Sequence, residues 1–239
     1  MINELLLVLV MATVYGAALL TYRFAGIPGL MCFNVFIIIT ANIEVLMLVE
    51  AFGAVMTLGN VLFAATFLVT DIVSETAGKQ AAKRAVHLGM GAALLFIVIS
   101  ETWMLYVPAS EDWAAPAIRE LFAHTPRLVA ASFIVYVVSQ YFDIWLYHKF
   151  WALTTARTGD ARRLLWTRSA STLISQFINS ALYTLLAFGG MYDGKTLLSL
   201  ALSTYAIYAV LSICDTPVIY LARAMKLRKD IPESGSGGE

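Results

Sequence analysis

Seven stretches of this chain stay apolar for about twenty residues or more, the length a helix needs to cross the hydrocarbon layer of a bilayer. They run at 3–22, 29–50, 54–77, 85–107, 126–147, 169–188 and 196–224. Lipid offers the backbone no hydrogen-bonding partner, so a spanning segment must be a helix or part of a closed barrel. No alternating barrel pattern occurs here. The chain is 60% hydrophobic and only 13% charged, with a mean hydropathy of +0.77. A soluble domain carries about 25% charge. The expected fold is therefore an all-α integral membrane protein, a bundle of seven transmembrane helices. It forms one domain over 1–232, followed by a disordered tail, "ESGSGGE", at 233–239. No basic region precedes the first span, which reads as a retained helix rather than a cleaved leader.

The basic residues orient the bundle. Arg23, Lys79, Lys83, Arg84, Lys149, Arg157, Arg162, Arg163, Arg168, Arg223, Lys226, Arg228 and Lys229 all fall on one side. Arg119, Arg127 and Lys195 fall on the other, a division of 13 against 3 among the 16 Lys and Arg. The richer side is expected to be cytoplasmic, with the N-terminus outside and the C-terminus inside. "GIPG" at 26–29 reads as a tight turn, and "EAFGA" at 50–54 as a short hairpin between spans. The loop at 108–126 is outside in this scheme, and "APAIRELFAH" within it reads as a short interfacial helix or a plain loop.

Polar side chains recur inside these apolar spans at helical spacing. Span 3 carries Asn60, Phe67, Asp71, Ser74 and Glu75; span 5 carries Ser132, Tyr136, Gln140 and Asp143. Span 6 carries Thr172, Gln176, Asn179 and Tyr183; span 7 carries Tyr205, Tyr208, Ser212 and Asp215. Span 2 adds Asn42 and Glu44, and Glu101 in span 4 reads as an interior partner. Such groups at membrane depth face the bundle interior, either lining a wet cavity or joining helix to helix. No Lys or Arg lies deep in any span. The buried carboxylates must then be hydrogen-bonded, neutral, or partnered by a ligand or ion. Amides, carboxylates and rings together suit a flat, neutral, hydrogen-bonding ligand: rings stack, and amides read donor–acceptor edges.

Other chemistries lack their residues. There is no phosphate-cradling GxxxxGK[ST], no HExxH and no CxxC. His87, His124 and His148 all fall near the ends of spans, so a deep catalytic triad or haem has no histidine to use. Cys32 and Cys214 read as small buried hydrophobes. The 16 acidic and 16 basic residues cancel, so charge gives no argument for nucleic acid. No cofactor or metal is expected. The expected partners are a small base-like molecule and the lipid bilayer.

Three motifs in order carry a resemblance. "TDIVSETAGKQAAKRAV" fits T-D-x-x-x-E-x-x-G-K-x-x-A-x-R through Thr70, Asp71, Glu75, Gly78 and Lys79. "SQYFDIW" at 139–145 fits Q-x-x-D, and "RSASTLISQFINS" at 168–180 fits R-x-x-S-T-x-x-S-Q. Over roughly residues 35–222 the chain resembles the queuosine precursor transporter family, also called the vitamin uptake transporter (VUT) family. The resemblance implies uptake of a 7-deazaguanine base, a precursor of a tRNA modification, across a prokaryotic inner membrane. It also implies a six-helix core, which would make the first span an addition, and a fold similar to the binding components of energy-coupling-factor vitamin importers. The alternative function is accordingly such a binding component, dependent on separate ATPase subunits. Where the family has Asp and Lys, this chain has Asn179 and Tyr208. Joint loss of a charge pair predicts contact between these two positions.

The expected site combines Asn42, Asp71, Gln140, Asp143, Gln176, Asn179 and Asp215 for hydrogen bonding with Phe67, Tyr136 and Tyr205 for stacking. Glu75, one turn from Asp71, is expected at the cytoplasmic mouth of that site, closing it.

Overall fold

A computed structural model describes residues 2–123, 126–158 and 165–225. The tail at 233–239, the basic residues at 162, 163, 226, 228 and 229, and His124 lie outside the described residues. The elements in order are α1 (Ile2–Glu44), β1 (Leu48–Ala51), β2 (Ala54–Thr57), α2 (Asn60–Trp103), α3 (Ala115–Ala123), α4 (Pro126–Thr158), α5 (Leu165–Phe188) and α6 (Gly194–Ala224). By length and composition α1, α2 and α6 are apolar enough to cross a membrane.

α1 and α2 are each two helical segments joined at a glycine. Gly26 (φ 63°, ψ −150°) and Gly78 (φ 80°, ψ 178°) occupy backbone conformations that a Cβ would strain. The chain folds back at both. Asn3 Nδ2 donates to the Glu50 carbonyl at 2.8 Å, so the start of α1 lies beside the strand that follows its end. In α2, Gln140 meets Thr66 and Thr70 while its neighbour Tyr141 packs on His87. Residues on either side of Gly78 therefore stand at one level. The expected turn at 26–29 is present, and the start of the second fold-back coincides with the "GK" of the 70–84 motif.

Between α1 and α2 the structure corrects the sequence reading. The second span was expected over 29–50 and the third from 54, but α1 ends at Glu44 and α2 begins at Asn60. Antiparallel strands fill the gap, pairing Leu48 with Thr57 and Ala51 with Ala54. Phe52 (φ 54°) and Gly53 (φ 74°) both take positive φ, as the two-residue turns of tight hairpins require. Apolarity alone does not separate a short strand from the end of a helix, and the β-branched Val49 and Val55 favour the strand. The loop at 108–126 does contain a short helix, α3.

The first segment of α2 is the central rod of the fold. Every residue from Ala64 to Ser74 is buried. Leu68, Val69, Ile72 and Val73 pack with Tyr15, Ala18, Tyr22 and Leu30 of α1 and with Ile144 and Ile219. Its other side carries Thr66, Thr70 and Asp71 against α4 and α5. The exterior is apolar instead: Leu9, Leu20, Phe36, Leu95, Val210 and Ile213 are all more than half exposed. Cys32 also lies on this exterior, contrary to its expected burial, while Cys214 is half-buried; both are free. Glu101, expected inside, is exposed near the end of α2. Apolar outside and polar inside is the inverse of a water-soluble domain.

Candidate functional site

Three polar levels stack along the bundle axis. At the level nearest the strands, Asn60 opens α2. Its Oδ1 accepts from the Thr57 hydroxyl at 2.8 Å and from the Tyr208 hydroxyl at 3.2 Å. Its Nδ2 is buried with no partner, and the buried Tyr183 hydroxyl lies beside Ser132. A constricted crevice here is walled by Asn60, Ser132, Asn179, Tyr183 and Tyr208. A cavity of about 210 Å³ adjoins it, sharing Thr57, Asn60 and Tyr183 and extending past Phe188 and Tyr192. Asn179 and Tyr208 share the wall of the crevice, with Asn179 in hydrogen-bonding reach of the Tyr208 hydroxyl.

The middle level is a carboxylate cluster. Thr172 of α5 donates to Asp71 Oδ2 at 2.7 Å, while Asp71 Oδ1 has no partner. Asp143 of α4 lies beside Asp71, Thr172 and Ser175, yet neither of its oxygens makes a hydrogen bond of normal geometry. Asp215 of α6 completes the cluster. One of its oxygens accepts from the Tyr15 hydroxyl of α1, and the other is unpartnered. All three carboxylates are at most 1% exposed. Gln176, one turn along the same face of α5 from Thr172, is fully buried with both ends of its amide unpartnered. Tyr208 and Asp215 are seven residues apart on α6, which sets this cluster about 10 Å deeper than the crevice.

The third level closes the opposite end. Glu75 accepts from the Tyr147 hydroxyl at 3.1 Å, and Arg223 Nη1 lies 3.5 Å from its other oxygen. These contacts tie α2, α4 and α6 together.

The remaining expected residues separate. Gln140 is committed to Thr66 at 2.7 Å and Thr70 at 3.0 Å, joining α4 to α2. Asn42 donates to the Ile38 carbonyl of its own helix at 2.8 Å. Tyr136 turns toward Asn34 and Gly89, outside the cluster. Phe67 is buried on the central rod, whereas Tyr205 packs edge-on against the half-exposed Phe177 at 5.2 Å. Two groups absent from the expected set matter here. Asn60 was on the span 3 stripe, and its position at a helix start beside a turn is the signal that it borders a cavity. Tyr15 carries one hydroxyl in an otherwise apolar first span, a signal visible in the sequence.

An apolar shell around stacked polar levels is the arrangement of a helical membrane protein with a polar interior. The chain belongs to the family described as "Putative vitamin uptake transporter", which matches residues 57–222. It is 33% identical over 208 residues to the "Probable queuosine precursor transporter" of Bacillus subtilis (strain 168), across 87% of this chain and 89% of that protein. No solved structure matches the chain.

Proposed function

We propose that this protein imports a queuosine precursor, a base of the 7-deazaguanine type, across the inner membrane of a prokaryotic cell. The observation that carries this reading is the cavity of about 210 Å³ beneath the strands, which Asn60 and Tyr183 border. Its wall holds a buried amide donor without a protein partner, Asn60 Nδ2, and the buried Tyr183 hydroxyl beside Ser132. A planar base with donors and acceptors on its edges satisfies such groups. The similarity to a protein named for queuosine precursor transport points to the same class of solute.

In this reading α1 and α2 each cross the membrane twice and α4, α5 and α6 once, giving seven crossings. The end bearing Arg23, Lys79, Lys83, Arg84, Lys149 and Arg223 is cytoplasmic, and the strands face outside. The base enters from the strand side past Asn60, Asn179 and Tyr208. Asp71, Asp143, Gln176 and Asp215 receive it more deeply. Glu75, Tyr147 and Arg223 close the inner end.

Uptake is the test. Cells that lack both precursor synthesis and their own transporter are given the base, and queuosine in their tRNA is measured. Expression of this chain is expected to restore queuosine, and Asn60→Ala is expected to lower uptake severalfold. Absence of uptake, with the protein shown to be in the membrane, overturns the proposal.

A further inference from the structure

We propose that the solute is first captured in an outer vestibule beside α3, where a planar base lies against Phe188 and Glu120 accepts hydrogen bonds from its N–H edge. The proposal rests on the reading of the strand side as the entrance for a base. It adds a binding site ahead of the crevice.

Between α3 and the hairpin lies a cavity of about 550 Å³. Small-molecule sites usually measure about 300–1,000 Å³. α3 contributes Glu120 and Leu121 to its lining, the strands Leu48 and Thr57, and the ends of α4 and α5 Leu128 and Phe188. The vestibule joins the deeper spaces through shared walls. Val45 and Thr57 border both the vestibule and the crevice, while Leu48, Thr57 and Phe188 border both the vestibule and the 210 Å³ cavity. Thr57 donates to Asn60 Oδ1 at 2.8 Å, and the other end of that amide, Asn60 Nδ2, is buried with no partner. A solute leaving the vestibule past Thr57 therefore meets an unused donor at its first step inward.

The walls have separate supports. Arg127 Nε donates to the Leu186 carbonyl at 2.8 Å and its Nη2 to the Gly189 carbonyl, which ties the start of α4 to the end of α5 and so fixes Leu128 and Phe188. α3 is carried by the end of α2. Phe122 packs edge-on against Trp103 at 5.4 Å and Phe96 at 6.4 Å, and Arg119 donates to the Tyr106 carbonyl at 2.6 Å. The lining matches a flat polar ring. Leu121, Leu128 and Phe188 offer apolar surface to its faces, and the exposed Glu120 supplies a carboxylate at the edge. A carboxylate accepts from two neighbouring N–H groups, such as the ring N–H and the amino group of a guanine-type base. A cavity of about 370 Å³ between α1, the hairpin and α6 gives the contrast. Among the described residues Leu7, Met56, Val210 and other apolar side chains line it, and no polar one does, so a polar base has nothing to bind there.

The test places single cysteines in a parent protein whose Cys32 and Cys214 are replaced by Ser. Leu121→Cys lies in the vestibule lining, and Val107→Cys, 93% exposed beyond the end of α2, lies outside it. Cells lacking their own transporter are given radiolabelled 7-cyano-7-deazaguanine before and after treatment with a bulky, membrane-impermeant methanethiosulfonate. Modification is expected to lower uptake severalfold in Leu121→Cys and to leave Val107→Cys at its untreated rate. Excess unlabelled base should slow modification of Leu121→Cys and not that of Val107→Cys. Glu120→Ala should raise KM about threefold to tenfold with kcat held, the loss of one charge-assisted contact made on capture. Leu48→Cys takes the place of Leu121→Cys if the latter does not reach the membrane. Full modification of the vestibule cysteine without loss of uptake, or modification that the base does not slow, overturns the vestibule site and leaves base import standing. An unchanged KM in Glu120→Ala overturns its role as acceptor. Absence of uptake by the untreated parent, with the protein shown to be in the membrane, overturns base import and the vestibule with it.

Discussion

Tyr15 and Asp215 illustrate how a single buried hydroxyl can fix a carboxylate. The Tyr15 hydroxyl donates to one oxygen of Asp215 across the α1–α6 contact, in a site sealed from solvent. Tyr15→Phe removes that donor and leaves the oxygen unsatisfied, at a cost of about 1–3 kcal/mol. Thermal unfolding in detergent should show the loss. Adding Asp215→Asn should then cost less than its effect in the unmodified protein, because the two residues act as a pair. A second residue is constrained by space. A Cβ on Gly89 would sit 2.2 Å from the Tyr136 hydroxyl and 2.5 Å from Ile38 Cδ1. Gly89→Val should destabilise the fold by roughly 1–3 kcal/mol through overpacking, read from the same melting curves. At this scale the sequence was a good guide to which residues are buried but a poorer guide to their partners. Helical spacing grouped Ser132, Tyr136, Gln140 and Asp143 as one stripe. In the structure they diverge, because each meets a different neighbour: Tyr136 faces Asn34 of α1 and the second half of α2, Gln140 the first half of α2, and Asp143 both α2 and α5. Spacing along a helix says nothing about which neighbour each residue meets.

Helix ends depend on chemistry that hydropathy does not register. The glycine of "GIPG" marked the first fold-back, because positive φ has a residue signature; the second, at Gly78, lay only in the gap between spans ending at 77 and starting at 85, and its glycine was not singled out as a turn. "EAFGA" at 50–54 marked the hairpin turn between β1 and β2, but the strands themselves had no signal beyond β-branching, so their apolar runs were read as the ends of helices. The start of α6 shows a further kind of signal. Asp193 caps it, accepting from the backbone N–H of Lys195 at 3.1 Å and of Thr196 at 3.4 Å. The Thr196 hydroxyl beside it is the main cause holding the Asp193 carboxyl below the usual carboxylate range. A carboxyl whose folded value is depressed stabilises the fold above its unfolded pKa of about 3.9 and loses that contribution as pH falls through the folded value. Amide exchange at Lys195 and Thr196, corrected for intrinsic rates, should therefore rise under acid. In Asp193→Asn, which keeps a capping side chain but has no proton to gain, the acid-dependent part should vanish.

Across the whole molecule, the inversion of polarity was legible from composition, and the separation of basic residues into two ends follows from the fold-backs. Substituted cysteines test the proposed arrangement after Cys32 and Cys214 are replaced by Ser. Val107→Cys and Lys195→Cys should react with a membrane-impermeant maleimide in intact cells. Lys83→Cys should react only after permeabilisation. Labelling of Val107→Cys and Lys83→Cys from the same side would show that α2 does not return across the bilayer. The single-glycine reversals at Gly26 and Gly78 also bear on biogenesis. With no loop between the halves of α1 or of α2, neither half can be released into lipid while the other waits in the translocation channel. If α1 and α2 each cross twice as proposed, each pair must leave the insertion machinery as a preformed unit, and a tag or glycosylation site placed at either glycine would obstruct synthesis of the protein before it could affect transport.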